Sequence, residues 1–186
     1  MKRAPQILGS AIALFTFIAD QAVKAALLYG AGFVNCAPCR GPSEICTSCS
    51  PVEVTGFLDL VMVWNFGVSF GLFQGESALW SALLIAFALG VSAWLSLWLW
   101  RTNSRLLGAA LGLVIGGALG NALDRVFYGA VADFFDFHLF GYHWYVFNVA
   151  DAAIVVGVAL LALDLLVLTR GEETAKEPGS PRTGTG

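Results

Sequence analysis

Three aspartates that lie close to long apolar segments are the residues best suited to acid–base chemistry. Asp133 and Asp136 stand three residues apart between two such segments, and Asp151 lies at the start of the second. Two nearby carboxylates can share one proton, because like charges a few ångströms apart cannot both ionise at low cost. One then accepts a proton from water while the other, protonated, polarises a carbonyl. The apolar segments contain no serine or cysteine paired with a histidine, so a carboxylate pair is favoured, but spacing leaves open which aspartates form it.

Other polar residues gather near the ends of the same segments. They are Asp20, Lys24, Asn65, Asn121, Asp124, Arg125 and Asn148. Ionisable groups inside a membrane cost about 2.5–3.5 kcal/mol each, so each requires an explanation. Asp20 and Lys24 are four residues apart on one helix face and can pair with each other. For this pair, and for Asp124 with Arg125, structural ion pairs or hydrogen-bonding struts are favoured over chemistry.

The remaining candidates have simpler interpretations. Asn65 and Asn148 are amides, which cannot perform acid–base chemistry at neutral pH, so we expect them to orient a backbone group or a carboxylate. His138 and His143 flank an aromatic stretch and are expected at the membrane interface. Asp164 lies deeper in its segment and is expected to point toward Arg170. None of these residues predicts a second centre of catalysis.

The composition identifies the setting of these residues as a membrane. The chain has 186 residues, of which 58% are apolar and 12% charged, with a mean hydropathy of +0.75. A soluble domain carries about 45–50% apolar and about 25% charged residues. The net charge of -3 and the lack of a basic block give no electrostatic basis for binding nucleic acid. We therefore predict an all-α membrane protein.

Four segments have the length of a bilayer-spanning helix, about 17–25 residues. They run over about 7–28, 78–100, 106–123 and 145–168. Asp20 and Lys24 interrupt the region where a signal-peptide cleavage site would lie, so we expect the first segment to be retained. An even number of spans puts both termini on one side. Most of the basic residues lie in the loops and termini predicted on that side: Lys2, Arg3, Arg101, Arg105, Arg170, Lys176 and Arg182.

The distribution of basic residues predicts the orientation. The opposite loops hold only Arg40 and Arg125, so the positive-inside rule puts the termini in the cytoplasm. The loops 29–77 and 124–144, and with them the polar cluster, are then on the outer face. Residues 51–73 mix β-branched, aromatic and glycine residues, which predicts short strands at the membrane surface. Residues 171–186 are rich in Gly, Pro, Thr and charge, which predicts a disordered cytoplasmic tail.

Four sequence blocks in this order resemble the lipoprotein signal peptidase family (signal peptidase II). Asp20–Lys24 resembles the family's D-x-x-x-K, and Asn65–Phe70 resembles N-x-G-x-A-F with Ser69 in place of the usual alanine. Residues 116–137, GGALGNALDRVFYGAVADFFDF, resemble G-G-x-x-G-N-x-x-D-R-x-x-x-G-x-V-x-D-F. Phe147–Asp151 resembles F-N-x-A-D. Each block alone is weak, but four in order on helices of the expected number are specific, and they extend over most of residues 1–170.

The resemblance assigns roles to individual residues. It implies that Asp133 and Asp151 are the catalytic pair, and so selects Asp133 over Asp136. The supporting residues that it implies, which shape the substrate groove or hold the bundle, are Asp20, Lys24, Asn65, Gly67, Asn121, Asp124, Arg125 and Asn148. It also implies a bacterial inner-membrane aspartyl endopeptidase with its site at the periplasmic face.

The resemblance further implies the substrate and the reaction. The substrate is a prolipoprotein whose cysteine carries diacylglycerol, and the enzyme cleaves the peptide bond before that cysteine. Water attacks through a tetrahedral gem-diol, without a cofactor, a metal in the active site or a covalent intermediate. Membrane lipids surround the protein, globomycin-type cyclic peptides inhibit it, and we expect a monomer.

A cysteine-rich insert at residues 35–50 does not belong to the family pattern. It contains Cys36-x2-Cys39 followed by Cys46-x2-Cys49. Paired C-x-x-C units are typical of a structural zinc site, but an oxidising compartment favours disulfides, and four cysteines allow three pairings. Disulfides are favoured over bound metal, and free thiols are the third alternative. In each case the insert stabilises a loop and takes no part in the chemistry.

Two other classes of protein compete with a peptidase. A small transporter or proton-conducting protein also places carboxylates in a membrane, but it would distribute them through the depth of the bilayer. Here they gather at one face, except for Asp164. A non-catalytic scaffold that binds lipoproteins would give no reason for two separate aspartates to be required. Both classes are disfavoured on these grounds.

Overall fold

The computed structural model describes residues 3–33, 50–67 and 78–176, and only the backbone of residues 167–176. Its helices are α1 (Ala4–Ala25, continued by a π-helical segment over Ala26–Gly30), α2 (Ala78–Arg101), α3 (Arg105–Tyr128) and α4 (Val149–Lys176). Its strands are β1 (Val52–Thr55), β2 (Leu58–Asn65), β3 (Val131–Leu139) and β4 (Tyr142–His143). The cysteine insert and residues 177–186 of the predicted tail lie outside the described residues.

Within the described part of the chain, four helices are long and apolar enough to cross a membrane. The qualifying segments are Ala4–Gly30, Ala78–Arg101, Arg105–Tyr128 and Val149–Leu166. Large apolar side chains such as Phe15, Phe87 and Leu165 are exposed on the outside of the bundle, where lipid would cover them. The predicted fold class, four membrane-spanning helices with a small β region, is confirmed.

Helix α3 lies at the centre of the bundle, and its glycines allow close packing. A Cβ atom at Gly116 would lie 2.5 Å from the carbonyl oxygen of Ala13 on α1. One at Gly117 would lie 2.5 Å from the carbonyl oxygen of Ala150 on α4. Small residues at such contacts let helix backbones approach closely within a membrane. The order of these contacts along the chain shows that α1 runs parallel to α3 and that α4 runs antiparallel to it.

Two helices differ from their predicted bounds for identifiable reasons. Helix α3 continues to Tyr128, because the residue that can end it is Gly129, which adopts the left-handed conformation at φ 73°. Helix α4 begins at Val149 instead of residue 145, because the residues before it pair with β3: the Phe147 oxygen accepts bonds from the Phe134 and Phe135 amides at 3.1 and 2.9 Å. The α4 backbone continues to Lys176, so residues 171–176 are helical and not part of a disordered tail.

The strands form an antiparallel sheet in the order β1-β2-β3-β4. Strands β1 and β2 fall within the predicted 51–73 region. In contrast, β3 lies in the loop that the sequence left without structure. The register of β2 against β3 shifts between Leu60 and Val63, which marks a bulge. Leu28 and Phe33 pack against Met62 and Phe134, and this core attaches the sheet to the end of α1.

Candidate active site

The predicted polar residues meet at the end of the bundle where α1 and α3 finish and α4 begins. The contacts among them join all three helices to β2 and β3. The residues brought together are Asp20, Lys24, Asn65, Gly67, Asn121, Asp124, Arg125, Asp133, Asn148 and Asp151. The set expected from the sequence therefore forms one connected network.

Asp133 lies on β3 and is fully buried, with 0% of its surface exposed. Its Oδ1 accepts a hydrogen bond from the Asn148 side-chain amide at 2.6 Å, and its Oδ2 accepts one from Asn65 at 3.1 Å. Burial, followed by the negative charge of Asp151, raises the pKa of Asp133 well above its ordinary value, although the two amide hydrogen bonds oppose this effect. Burial and the neighbouring charge therefore favour the protonated form of Asp133.

A chain of side-chain amides connects Asp133 with Asp151. Asn148 Nδ2 also donates to Asn121 Oδ1 at 3.1 Å, and Asn121 Nδ2 donates to Asp151 Oδ1 at 2.9 Å. Asn148 Oδ1 accepts from the backbone amide of Asp151 at 2.9 Å, which is the geometry of a helix N-cap. Asn148, which caps α4, and Asn121 of α3 therefore connect the two aspartates through their side-chain amides.

Lys24 neutralises two buried carboxylates. Its Nζ lies 2.8 Å from Asp20 Oδ2 and 2.7 Å from Asp124 Oδ2, and it donates to Asn121 Oδ1 at 3.1 Å. All three of its donor positions are used, as buried polar groups require. Asp20 Oδ1 in turn accepts from the backbone amide of Ala150 at 2.9 Å. These contacts connect α1, α3 and the first turn of α4.

Asp124 and Arg125 do not form an ion pair with each other, and the contacts agree instead with the alternative that they are hydrogen-bonding struts. Asp124 pairs with Lys24, while the Arg125 guanidinium donates to the carbonyls of Gly67 at 2.5 Å and Asn121 at 3.2 Å. Neighbouring positions on a helix point in different directions, so this separation follows from helical geometry. Arg125 fixes the end of β2, where the Gly67 amide also donates to Asn65 Oδ1 at 3.0 Å.

Asp136 belongs to a different cluster. Its Oδ2 lies 2.8 Å from Nδ1 of His143, and His138 Nε2 lies 3.3 Å from Asp59 Oδ2. Because successive residues of a strand point to opposite faces, Asp133 and Asp136, three positions apart, project from opposite faces of β3. The two histidines, interpreted from the sequence as interfacial residues, are therefore engaged with carboxylates.

Two further polar residues make contacts that the sequence analysis did not predict. Gln21, which the sequence analysis did not single out, donates from Nε2 to Asp124 Oδ1 at 3.0 Å and to the Gly120 oxygen at 3.2 Å. The available signal was its position inside the Asp20–Lys24 block. Asp164 is buried and accepts a bond from the Ser104 hydroxyl at 2.8 Å, so it is anchored to the start of α3.

Some predicted features lie where the structure gives no account of them. Cys36, Cys39, Cys46 and Cys49 fall outside the described ranges, and so does Ser69. The choice among disulfides, bound metal and free thiols stays a prediction.

An apolar groove of about 310 Å³ ends at the polar network. Asn121 and Arg125 form its polar end. The apolar residues that line it come from α2, α3 and α4: Leu84, Phe87, Ala88, Val91, Val114, Ala118 and Ile154. The groove can accept an apolar chain and bring its end to the asparagines that hold Asp133 and Asp151.

Four apolar helices with a buried carboxylate and amide network at one end define a multi-pass membrane protein with a polar site. The family model described as Signal peptidase (SPase) II matches residues 12–167 of this chain. The chain therefore belongs to the signal peptidase II family, which confirms the resemblance found in the four sequence blocks.

Individual relatives agree with this assignment. The chain is 47% identical over 171 residues to a lipoprotein signal peptidase of Methylobacterium radiotolerans, which covers 92% of this chain and 90% of the relative. It is 49% identical over 153 residues to one of Methylorubrum extorquens, covering 82% of each. A solved structure titled as a bacterial membrane enzyme, obtained by the in meso method, matches with a TM-score of 0.70 and 26% identity over 92% of both chains.

Family membership implies a protease, and it supports the cleavage of signal peptides from prolipoproteins. Together with the four apolar helices, the bacterial relatives indicate a multi-pass bacterial membrane protein.

Proposed function

We propose that this chain cleaves diacylglyceryl-modified prolipoproteins before the lipidated cysteine, with Asp133 and Asp151 as an acid–base pair that activates water. The observation that carries the proposal is the amide chain from Asp133 through Asn148 and Asn121 to Asp151. It holds two carboxylates that come from separate elements, one of them fully buried. Asp136, engaged with His143, has no such connection.

The reaction follows from the different surroundings of the two aspartates. Asp133, whose pKa is raised by burial and by Asp151, carries the shared proton and donates to the carbonyl oxygen of the bond to be cut. Asp151, less buried and in the first turn of α4, removes a proton from water as the water oxygen attacks the carbonyl carbon. As the gem-diol collapses, one of its hydroxyl groups returns a proton to Asp133, the carbon–nitrogen bond breaks, and the proton gained by Asp151 passes to the nitrogen of the leaving cysteine.

The groove at Asn121 and Arg125 provides for the membrane part of the substrate. A signal peptide and the acyl chains of the modified cysteine are apolar, and so are the α2, α3 and α4 side chains that line it. We infer that the groove receives the apolar segment before the cleaved bond and that its polar end brings this bond to the dyad. Globomycin-type cyclic peptides would compete for the same place.

The same proposal includes the orientation. Arg3, Arg101 and Arg105 lie at the end of the bundle away from the polar network, where Gln6 donates to the Thr102 oxygen at 2.8 Å and so joins the starts of α1 and α3. The positive-inside rule then puts both termini in the cytoplasm and the dyad at the periplasmic face of the inner membrane.

The test compares Asp133→Asn, Asp151→Asn and Asp136→Asn with the wild type on a diacylglyceryl-modified prolipoprotein in detergent. Asparagine keeps the shape of the side chain and removes its charge. We expect the first two variants to lose about 10²–10⁴-fold in cleavage rate, the usual contribution of a positioned acid or base, and Asp136→Asn to keep most of it.

Two results would contradict this proposal. One is a wild type that fails to cleave the lipidated substrate, and the other is cleavage by both dyad variants at the wild-type rate. An unmodified prolipoprotein and added globomycin provide the controls, and both should suppress cleavage by the wild type.

A further inference from the structure

The face of β3 that carries Asp133 continues away from the helices as a track of aromatic side chains. Alternate strand residues share a face, so Phe135, Phe137 and Leu139 follow Asp133 along the same side of the sheet. At about 3.3 Å per residue, Leu139 lies about 20 Å along the strand from Asp133. A ligand on this face could therefore extend from the site to the far end of the sheet.

Ring contacts make the track continuous from the site outward. Phe147, next to Asn148, packs on Phe135 with ring centroids 5.8 Å apart and stacks on Phe137 at 5.7 Å. Phe137 in turn stacks on Phe57, which follows β1, at 6.3 Å. Since Asn148 binds Asp133 at 2.6 Å, the first ring of the track adjoins the proposed dyad.

Three of these rings, those of Phe57, Phe137 and Phe147, line an open apolar trough of about 670 Å³. Its lining residues, which we call the aromatic trough, are Phe57, Phe137, His138, Leu139, Tyr142, Trp144 and Phe147. Several are largely exposed although they are large and apolar: Phe57 by 52%, Leu139 by 61% and Trp144 by 64%. Contiguous exposed apolar surface of this kind is typical of a site that binds a protein, a ligand or a membrane.

We propose that the aromatic trough binds the polypeptide segment that follows the lipidated cysteine of the substrate, in an extended conformation. This inference rests on the proposed function. The membrane groove and the aromatic trough approach the dyad from different elements: the groove ends at Asn121, and the trough begins at Phe147. A chain whose apolar segment occupies the groove and whose scissile bond lies at the dyad continues onto the trough.

The chemistry of the trough determines which segment it accepts. Among the described residues that line it, His138 is the one imidazole, and none is Asp, Glu, Lys or Arg. Aromatic faces bind aliphatic side chains and peptide planes without requiring a defined sequence. We therefore expect weak sequence preference, a preference for small and apolar over acidic residues, and contact with about six extended residues.

The test uses two diacylglyceryl-modified substrates with the same signal peptide, one ending two residues after the cysteine and one ending eight residues after it. We expect Phe137→Ala to raise KM about fivefold to tenfold for the long substrate, with kcat unchanged and little effect on the short one. Phe57→Ala should give the same pattern, which keeps the test valid if one variant folds poorly. Phe15→Ala removes a comparably exposed ring on α1 and should change neither substrate.

The outcomes separate the two proposals. Suppose that the wild type cleaves both substrates but that Phe137→Ala and Phe57→Ala raise KM equally for both, or for neither. The trough then does not bind this segment. An equal rise in KM would mean that the trough contacts lipid or stabilises the sheet. If wild type binds long and short substrates with equal KM, the inference is also overturned. Failure of the wild type to cleave either substrate would instead contradict the proposed function.

Discussion

At the scale of single residues, Asn148 links structure to chemistry. Its side-chain oxygen caps α4 through the Asp151 amide, and its side-chain nitrogen donates to Asp133 at 2.6 Å. Asparagine is among the best N-cap residues, and its amide nitrogen provides a donor separate from the oxygen that forms the cap. One side chain therefore fixes both the start of the helix that carries Asp151 and the orientation of Asp133.

The two roles of Asn148 can be separated by paired substitutions. Asn148→Ser keeps a cap but loses the bond to Asp133, whereas Asn148→Ala loses both. We expect both variants to lose about 10–100-fold in cleavage rate, because leaving a buried group such as Asp133 without its hydrogen-bond partner costs about 1–3 kcal/mol. The alanine variant should unfold with about 1 kcal/mol less free energy than the serine variant. Thermal unfolding in detergent and cleavage assays measure the two effects, and recovery of activity in Asn148→Ser alone would show that the cap is what matters.

Single residues also show which contacts can be predicted from the sequence and which cannot. The spacing of Asp20 with Lys24 predicted their pairing, which the structure contains at 2.8 Å. Spacing could not choose between Asp133 and Asp136, because that choice depends on which face of β3 each occupies. It also could not give Lys24 its second partner, Asp124, because that contact depends on how closely α1 and α3 approach.

At the scale of elements, small residues determine how near the helices come. Gly108, Gly112, Gly116 and Gly120 recur every fourth residue on α3, and each would place a Cβ atom against α1. This spacing repeats the small-xxx-small pattern of closely packed membrane helices. The close approach brings Asp20 and Lys24 within hydrogen-bonding distance of α3.

Enlarging one of these glycines should separate the helices. A Cβ atom at Gly116 would lie 2.5 Å from the Ala13 oxygen and 2.8 Å from Thr16 Cβ, so we expect Gly116→Ala to lower the free energy of unfolding by about 1–3 kcal/mol. Gly90→Ala on α2 is the control, because nothing lies within 4 Å of its Cβ position. It should leave stability unchanged or raise it slightly, because alanine favours a helix. Equal unfolding temperatures for the two variants would contradict this view of the packing.

Elements differ in how well the sequence predicts them. The four helices were predicted because an apolar run of their length has few alternatives in a membrane. Strand β3 was not predicted, because its hydrogen-bonding partners are not evident from the sequence. One is β2, which is distant in the chain, and the other is Phe147, which lies in an irregular segment. The late start of α4 has the same cause, since Phe147 pairs with β3 before the helix can begin.

At the scale of the whole molecule, Lys24 connects the parts that form the site. It is the cation shared by Asp20 and Asp124, and Asp20 also binds the backbone of α4 through Ala150. Side-chain exposure is 4% or less for all three groups of this ion pair network. Removing the cation would leave two carboxylates buried without compensation.

Lys24→Met should therefore destabilise the entire bundle. We expect a loss of about 3–5 kcal/mol in the free energy of unfolding, as found when one partner of a buried ion pair is removed. Adding Asp124→Asn to this variant removes one uncompensated charge and should restore part of the loss. Thermal unfolding of the single and double variants measures both effects, and a single variant as stable as the wild type would show that the network adds nothing to stability.

The groove between α2, α3 and α4 has a consequence for how a substrate reaches the enzyme. Apolar side chains of α2, α3 and α4 line it, and we infer from this that it opens sideways toward acyl chains. A substrate anchored in the same leaflet need never leave the bilayer, and the encounter becomes a search in two dimensions. Turnover should then follow the surface density of substrate in the membrane and depend little on its amount per volume of solution.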